Sequence, residues 1–543
     1  MRDFANHIVI SDYKTVIARR NDTAISFNKL DCFSSHKPSF AITTALPALR
    51  LSRMLLHSMK QLLSSLSGKR QSLLMLVLTL FSFSANAKVL LPQILSSNMV
   101  LQREKPINIW GYASPTEKVE VTFAGQKKQT VTDKNGKWSV VLMPLKTSAT
   151  PQTMIIAGSN KIELTNILVG EVWVCSGQSN MEYQMRKLAK IPKPKNEKLG
   201  FPADEVEKAK NTQIRIFLVN RKQLAKPDSV HKSWAVAQDS ALKAFSAVGY
   251  FFAKEVQEKL GIPVGMISSS VSGSAIEPWV SPEAFAQEPY FKNTKVGNDP
   301  GKFYTPMIEP LSKFKIRGFL WYQGETNCFL NEDISYAYKM KTLINLWRKA
   351  WGEQDLPFYC VQIAPYDYSK QKSDKVVLTT ETQPKFWEAQ QQVLRLPKTG
   401  MISTNDLNDN GGDLHPTYKW EVGRRLALMA LGKTYNQQID FSGPVFKAIS
   451  FRNNQALLDF DYLKSANATN ITGFTIADAS GKFVNADAVL KDGKVFVSSK
   501  EIAKPTAVRY NWTENPTGNL YSNGLPVLPF RTDNPLTKQF KTN

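Results

Sequence analysis

The sequence predicts an α/β protein, a parallel sheet covered by helices, with antiparallel β regions before and after it. Three observations carry this reading. Between about 167 and 435, short apolar runs alternate with helical stretches, the pattern of parallel strands joined by crossover helices. Residues 88–166 instead alternate apolar and polar side chains, as half-buried antiparallel strands do. From 436 onward that alternation returns.

The first 87 residues are of another kind. Residues 73–83 read LLMLVLTLFSF, with Lys60, Lys69 and Arg70 ahead and Ala85-Asn86-Ala87 behind. A basic region, an apolar run and an A-x-A site describe a secretory signal peptide, so cleavage is expected after Ala87 and the mature protein is expected to be periplasmic or extracellular. The run is shorter than the roughly 20 residues of a membrane-spanning helix. Residues 1–58 have no place upstream of a signal peptide, and Met54 or Met59 is the natural start.

In 88–166, the runs VEVTFAG, KKQTVTD and KWSVVLM, with turns at Asp133–Gly136 and Gly158–Asn160, predict an antiparallel β-sandwich. In 167–435 the buried-strand runs are ILVGEVWVCSG, QIRIFLV, VGMISSS, GFLWYQG, PFYCVQIA and GMISTND. Between them, Phe245–Leu260 carries Val248, Phe252, Val256 and Leu260 at helical spacing and stops at Gly261 and Pro263. Asp333–Trp351, Phe386–Leu396 and Lys419–Leu431 also read as helices. In 436–543, VFKAISF, ALLDF, ITGFTIA, KVFVSS and TAVRYNW form a second β region.

Composition agrees with a folded, exported protein. The chain has 543 residues, 42% of them apolar, and a formal charge of +23 that invites a nucleic-acid reading. Residues 1–87 hold 11 of the 69 Lys and Arg and 4 of the 46 Asp and Glu, which leaves +16 on the remainder. Those cations are scattered and lack interleaved aromatics, so they argue against a nucleic-acid binder and read first as a solvated surface; a preference for anionic glycans is the sharper alternative. Cys175, Cys328 and Cys360 survive processing without CxxC spacing, which argues against a zinc site and leaves one disulfide or, as the favoured reading, three buried thiols.

Ligand sites in such sheets form at the carboxyl ends of the strands. Four segments there carry chemistry. Gly177-Gln178-Ser179-Asn180-Met181 places Ser179 in a tight turn before a helix, which suits a nucleophile or a simple N-cap. Only His231 and His415 remain after residue 87; His231 sits in a polar loop, whereas His415 sits on the strand-end rim and can act as base. In Trp321–Asn327, the Gln323 amide can donate to an oxyanion, and Glu325 can orient His415 or be an ordinary turn carboxylate. In Ser268–Ser274, Gly273 can bring its N–H close to a reacting centre. Glu277, Trp279 and Asn327 are candidate substrate contacts, Trp279 as a sugar platform or as a core residue.

GEVWVCSGQSNM, the Gly273 loop with Ile276-Glu277-Pro278-Trp279, WYQGETN and DLHP together resemble the sialate O-acetylesterase family of SGNH hydrolases. LPQILSSNMVLQREKPINIWGYA and LPVLPFRTD also resemble that family's ends, so the resemblance spans nearly all of 88–535. It implies a flavodoxin-like, three-layer SGNH catalytic domain at 167–435 between β regions at 88–166 and 436–543. It implies removal of O-acetyl groups from sugars, without metal or cofactor. By the same resemblance Ser179 is the nucleophile, His415 the base, and Gly273, Gln323 and the Ser179 N–H the oxyanion donors. Two departures stand out. Ser272-Gly273 replaces a pair of glycines, and Gly412 stands where the wider family has an Asp three residues before the His. The third triad member is therefore Asp413, or Glu325 as in some related acetylxylan esterases, with Asp406 as a weaker choice. An acetylxylan or other plant-polysaccharide acetylesterase is the rival activity, and a secreted glycan-binding protein the rival from another class.

Overall fold

Seven strands form the central sheet: β1 (Lys161–Gly177), β2 (Ile214–Leu218), β3 (Trp234–Val236), β4 (Val264–Ser270), β5 (Gly318–Tyr322), β6 (Phe358–Val361) and β7 (Thr399–Ile402). Their order is β3-β2-β4-β1-β5-β6-β7. All neighbours are parallel except the edge pair β3–β2. The computed structural model describes residues 88–542 apart from 221, 223, 225, 375 and 465–469. The segment expected to direct export lies outside the described residues. Among the described residues, no helix is long and apolar enough to cross a membrane.

Six helices matter for the site: α1 (Ser179–Glu182), α2 (Ala247–Leu260), α3 (Glu325–Phe329), α4 (Ile334–Trp351), α5 (Thr382–Gln391) and α6 (Lys419–Lys433). Ser246 caps α2 by accepting from the Gly249 N–H, and Gly261 ends it in the left-handed conformation. The helices lie on both faces of the sheet. Phe358 of β6 meets Trp347 of α4, while the next residue, Tyr359, stacks on Trp173, which in turn meets Phe252 of α2. Successive strand residues point to opposite faces, so α2 and α4 cover opposite sides.

β1 is 17 residues long and changes character along its length, from alternating burial over 161–166 to continuous burial over 167–177. Its first half pairs antiparallel with Ser148–Ala157, and Leu168–Gly170 pairs parallel with Val100–Gln102. Its second half runs between β4 and β5. The N-terminal β region and the central sheet thus share one strand, which crosses the boundary expected at 166/167. The remaining N-terminal strands pair antiparallel.

After 436 the chain forms a five-stranded and a four-stranded antiparallel sheet. They have their own core, which includes Ile476, Val495, Val508 and Tyr510. The tail then returns: Phe540 is fully buried in the α/β core and packs on Tyr338 of α4, whose hydroxyl donates to the Gln539 carbonyl.

From β1 the chain moves outward to β2 and back to β4, then crosses to β5 on the other side of β1. That reversal opens a crevice at the carboxyl end of β1, where the loops after β1, β4 and β5 converge.

Candidate active site

β1 ends in Gly177, and the chain turns there because Gly177 takes φ +143°. A Cβ at this position would lie 2.0 Å from the Tyr322 carbonyl oxygen, so only glycine allows the ends of β1 and β5 to meet. The Gln178 N–H donates to that same carbonyl at 3.1 Å. The Gln178 side-chain oxygen accepts from the N–H groups of Gly324 and Thr326 and from Gln323 Nε2. Ser179 follows as the first residue of α1 and stays half-buried.

His415 reaches Ser179 from the loop before α6. Its Nε2 lies 2.8 Å from Ser179 Oγ, the geometry for proton transfer between a nucleophile and its base. Burial first and the Lys419 cation next, opposed by Asp413 and aided more weakly by Lys187, bring the imidazole pKa down to about 4, so the ring is neutral at pH 7.

The carboxylates expected to orient that ring are turned elsewhere. Asp413 Oδ1 accepts from the backbone N–H of His415 at 3.0 Å, an Asx-type turn within its own loop. Glu325 accepts from Asn180 Nδ2, and burial raises its pKa. Asp406 forms a two-bond ion pair with Arg425 at 2.8 and 2.7 Å. Among the described residues, His415 Nδ1 has no hydrogen-bond partner.

Of the expected oxyanion donors, Gly273 takes φ +70° in an exposed loop, and a Cβ there would meet nothing within 4 Å. Its loop is tied to the Ser179 turn, because the Val271 N–H donates to the Gly177 carbonyl and the Ser272 N–H to Glu182 of α1. Gln323 is placed differently from expectation. It is fully buried, and Nε2 is directed at Gln178 Oε1 (3.1 Å), the Ser274 carbonyl (3.2 Å) and Asn327 Oδ1 (2.8 Å). Its two amide hydrogens are engaged in the framework rather than aimed at a reacting carbonyl.

The three expected substrate contacts are also interior. Trp279 is fully buried, donates from Nε1 to Ser274 Oγ and packs on Trp321 and Phe303, so it offers no face to a sugar. Glu277 is buried and accepts from Lys339 Nζ at 2.8 Å and Asn298 Nδ2 at 3.0 Å. Asn327 accepts from the Ile276 N–H and Gln323, and donates to Glu277 and Glu332. These side chains brace the Gly273 loop from below. Strand-end position alone suggested substrate contact, because a loop's inner and outer layers look alike in sequence.

Sequence reasoning passed over two groups. Asn180 Nδ2 also donates to the Leu414 carbonyl at 3.1 Å. Lys419, at the start of α6, is buried with Nζ donating to the Pro416 carbonyl. Lys419 opens α6 four residues after His415, and a lysine at the first turn of a helix carries no sequence signal that it will be buried. His231 lies in the loop before β3, where its backbone N–H is held by Asp228. The three cysteines are free and buried.

A Ser–His pair on the strand-end rim of an α/β sheet suits acyl transfer, and comparison with known proteins gives the class, a carboxylic ester hydrolase. Residues 169–432 match the family described as carbohydrate esterase, sialic acid-specific acetylesterase. A solved carbohydrate acetylesterase from Xanthomonas citri is 33% identical, with a TM-score of 0.72, over 82% of this chain and 100% of that one. The sialate O-acetylesterase of Pongo abelii is 28% identical over 80% of this chain and 91% of its own length, and the Homo sapiens protein 28% over 68% and 75%. The chain belongs to this carbohydrate esterase family and is a carbohydrate O-acetylesterase.

Proposed function

We propose that the chain is an exported serine esterase that removes O-acetyl groups from sialate. Ser179 Oγ attacks the acetyl carbonyl while His415 Nε2 takes its proton. The N–H groups of Ser179 and Gly273 hold the oxyanion, and Gln323 positions both loops from beneath. His415 then protonates the departing sugar oxygen, which leaves as the hydroxyl with the acetyl group on Ser179, and a water activated by the same imidazole attacks that ester and releases acetate. The 2.8 Å contact between Ser179 Oγ and His415 Nε2 carries the esterase reading.

The electrostatics of the rim favour an anionic sugar. Arg186, Lys187, Lys190, Lys193, Lys195 and Lys198 are all exposed on the segment that follows α1. That segment is anchored to the His415 loop, since the Lys195 N–H and Nζ donate to Asp409. Lys187 is close enough to act on His415 electrostatically. A cationic rim of this kind attracts a carboxylate-bearing sugar and gives nothing to neutral xylan.

The helices on both faces of the sheet support an SGNH-type three-layer catalytic domain over 167–435. The two stacked antiparallel sheets after 436 support a flanking sandwich there, and the paired strands of 88–166 support one at the other end. Export with cleavage after Ala87 rests on the residue pattern of 60–87.

Acetate release from O-acetyl sialate and from acetylated xylan, at low and high salt, tests the reading. Sialate turnover is expected to dominate and to weaken with salt, and Ser179→Ala should reduce both activities to background. Salt-independent preference for xylan would overturn the sialate assignment alone. Activity retained in Ser179→Ala would overturn the serine mechanism.

A further inference from the structure

Among the described residues, the His415 ring makes one hydrogen bond, to Ser179, and no carboxylate meets its other nitrogen. Something else must fix the ring's direction, because a base misplaced by about 1 Å loses on the order of 10²-fold in rate. The backbone on either side of His415 is where the structure applies that control. The Leu414 carbonyl accepts from Asn180 Nδ2, and the Pro416 carbonyl accepts from Lys419 Nζ. Both donors are buried. Asn180 directly follows the nucleophile, so one amide straps the Ser179 turn to the His415 loop. The Lys419 ammonium sits between the rings of Tyr183 (4.9 Å) at the end of α1 and Tyr322 (5.9 Å) at the end of β5. Glu325, 1% exposed at the start of α3, holds the Asn180 amide and supplies negative charge against Lys419.

We infer that Asn180, Lys419 and Glu325 form a clamp of positioning residues that sets His415 on Ser179 by gripping the two flanking carbonyls, in place of a carboxylate bonded to the ring. This rests on the reading of His415 as the base. The clamp also has an electrostatic signature. His415 is faced by Lys419 and Lys187, which disfavour its protonation, and by Asp413, which favours it. Lys419 is faced by Asp413 and Glu325, which favour its charge, and by Lys187, which opposes it; burial outweighs these and brings its pKa to about 7.

The test compares Lys419→Met, Asn180→Ala, Glu325→Gln and Asp413→Asn in the mature protein. The readouts are kcat and KM against pH, and the His415 imidazole titration followed by NMR in a Ser179→Ala background. Lys419→Met and Asn180→Ala are each expected to lower kcat by about 10²-fold with KM little changed. Lys419→Met should also move the His415 titration upward, and Lys419→Arg should recover part of kcat. Glu325→Gln, which keeps a carbonyl for Asn180, should fall less than Asn180→Ala, and Asp413→Asn should lose under about tenfold and move the titration down. Retention of kcat within threefold in both Lys419→Met and Asn180→Ala, with collapse in Asp413→Asn, would overturn the clamp in favour of a conventional triad. Asn180→Ala and the NMR titration keep the test decisive if Lys419→Met does not fold. His415→Ala is the control for the underlying reading: if it stays active, the base assignment itself fails.

Discussion

His415 shows how much a single residue owes to its surroundings. An imidazole in water titrates near 6.5, but burial, Lys419 and Lys187 hold this one at about 4. A base works only when neutral, so kcat/KM is expected to stay flat from neutral pH to about pH 5 and to halve near pH 4. An acid limb at pH 6.5 would mean that neither burial nor the two cations act on the ring. The shift has a stability consequence with a fixed sign. Between about pH 6.5 and 4 the unfolded chain binds a proton that the folded chain refuses, so this group's contribution falls as pH falls through that window. Ser179 and His415 were both legible as rim residues from the GQSNM and DLHP motifs. The roles around them were not: a Gln or Asn in sequence does not say whether its amide faces a substrate or the loop beneath, and Gln323 and Asn327 face the loop.

At the scale of elements, β1 carries the argument. Sequence patterning splits it at 166/167, because alternation reports one exposed face and a continuous apolar run reports two buried ones. The chain nevertheless runs straight through as one strand whose neighbours change. Glu171 sits at the base of its buried half. It is fully buried and accepts from Arg103 of the N-terminal region, from Arg317 before β5 and from the Tyr435 hydroxyl. Burial pushes its carboxyl up, but the two guanidiniums outweigh that and hold it below the usual range. Glu171→Ala leaves the two arginines with only the exposed Glu104, at 3.8 and 3.7 Å, as counter-charge, and is expected to cost about 3 kcal/mol by denaturant unfolding. An unfolding free energy within 1 kcal/mol of the parent, roughly the worth of an exposed pair, would show that solvent reaches the arginines. The helix α5 shows a smaller limit of pattern reading. Apolar spacing placed a helix over Phe386–Leu396, yet the α-helical turns span Thr382–Gln391 and tighten to a 3₁₀ turn over Gln392–Arg395. The first turn holds Gln383, a polar residue buried by its bonds to Ala364 and Tyr366, which no hydropathy period detects.

For the whole molecule, the first test is the mature N-terminus. Sequencing the exported protein is expected to give Lys88; a terminus upstream of residue 73 would remove the signal-peptide reading. The charge of the remaining chain then matters through its distribution. Of the exposed cations of 186–198, Lys187 acts on His415 and Lys195 is bonded to Asp409 of the His415 loop. The class of fold, the order of the β and α/β regions, the turn that holds Ser179 and the loop that holds His415 are legible in the sequence, because hydrophobic period and turn chemistry are local. The folded arrangement sets what lies next to what. It turned Asp413, Glu325 and Asp406 away from the His415 ring, sank Trp279 into the core, and brought Asn180 and Lys419 to the two carbonyls that flank the base. Hydrogen-bond partners and Coulomb neighbours are set by distances across strands far apart in the chain, and no local pattern of residues encodes those distances.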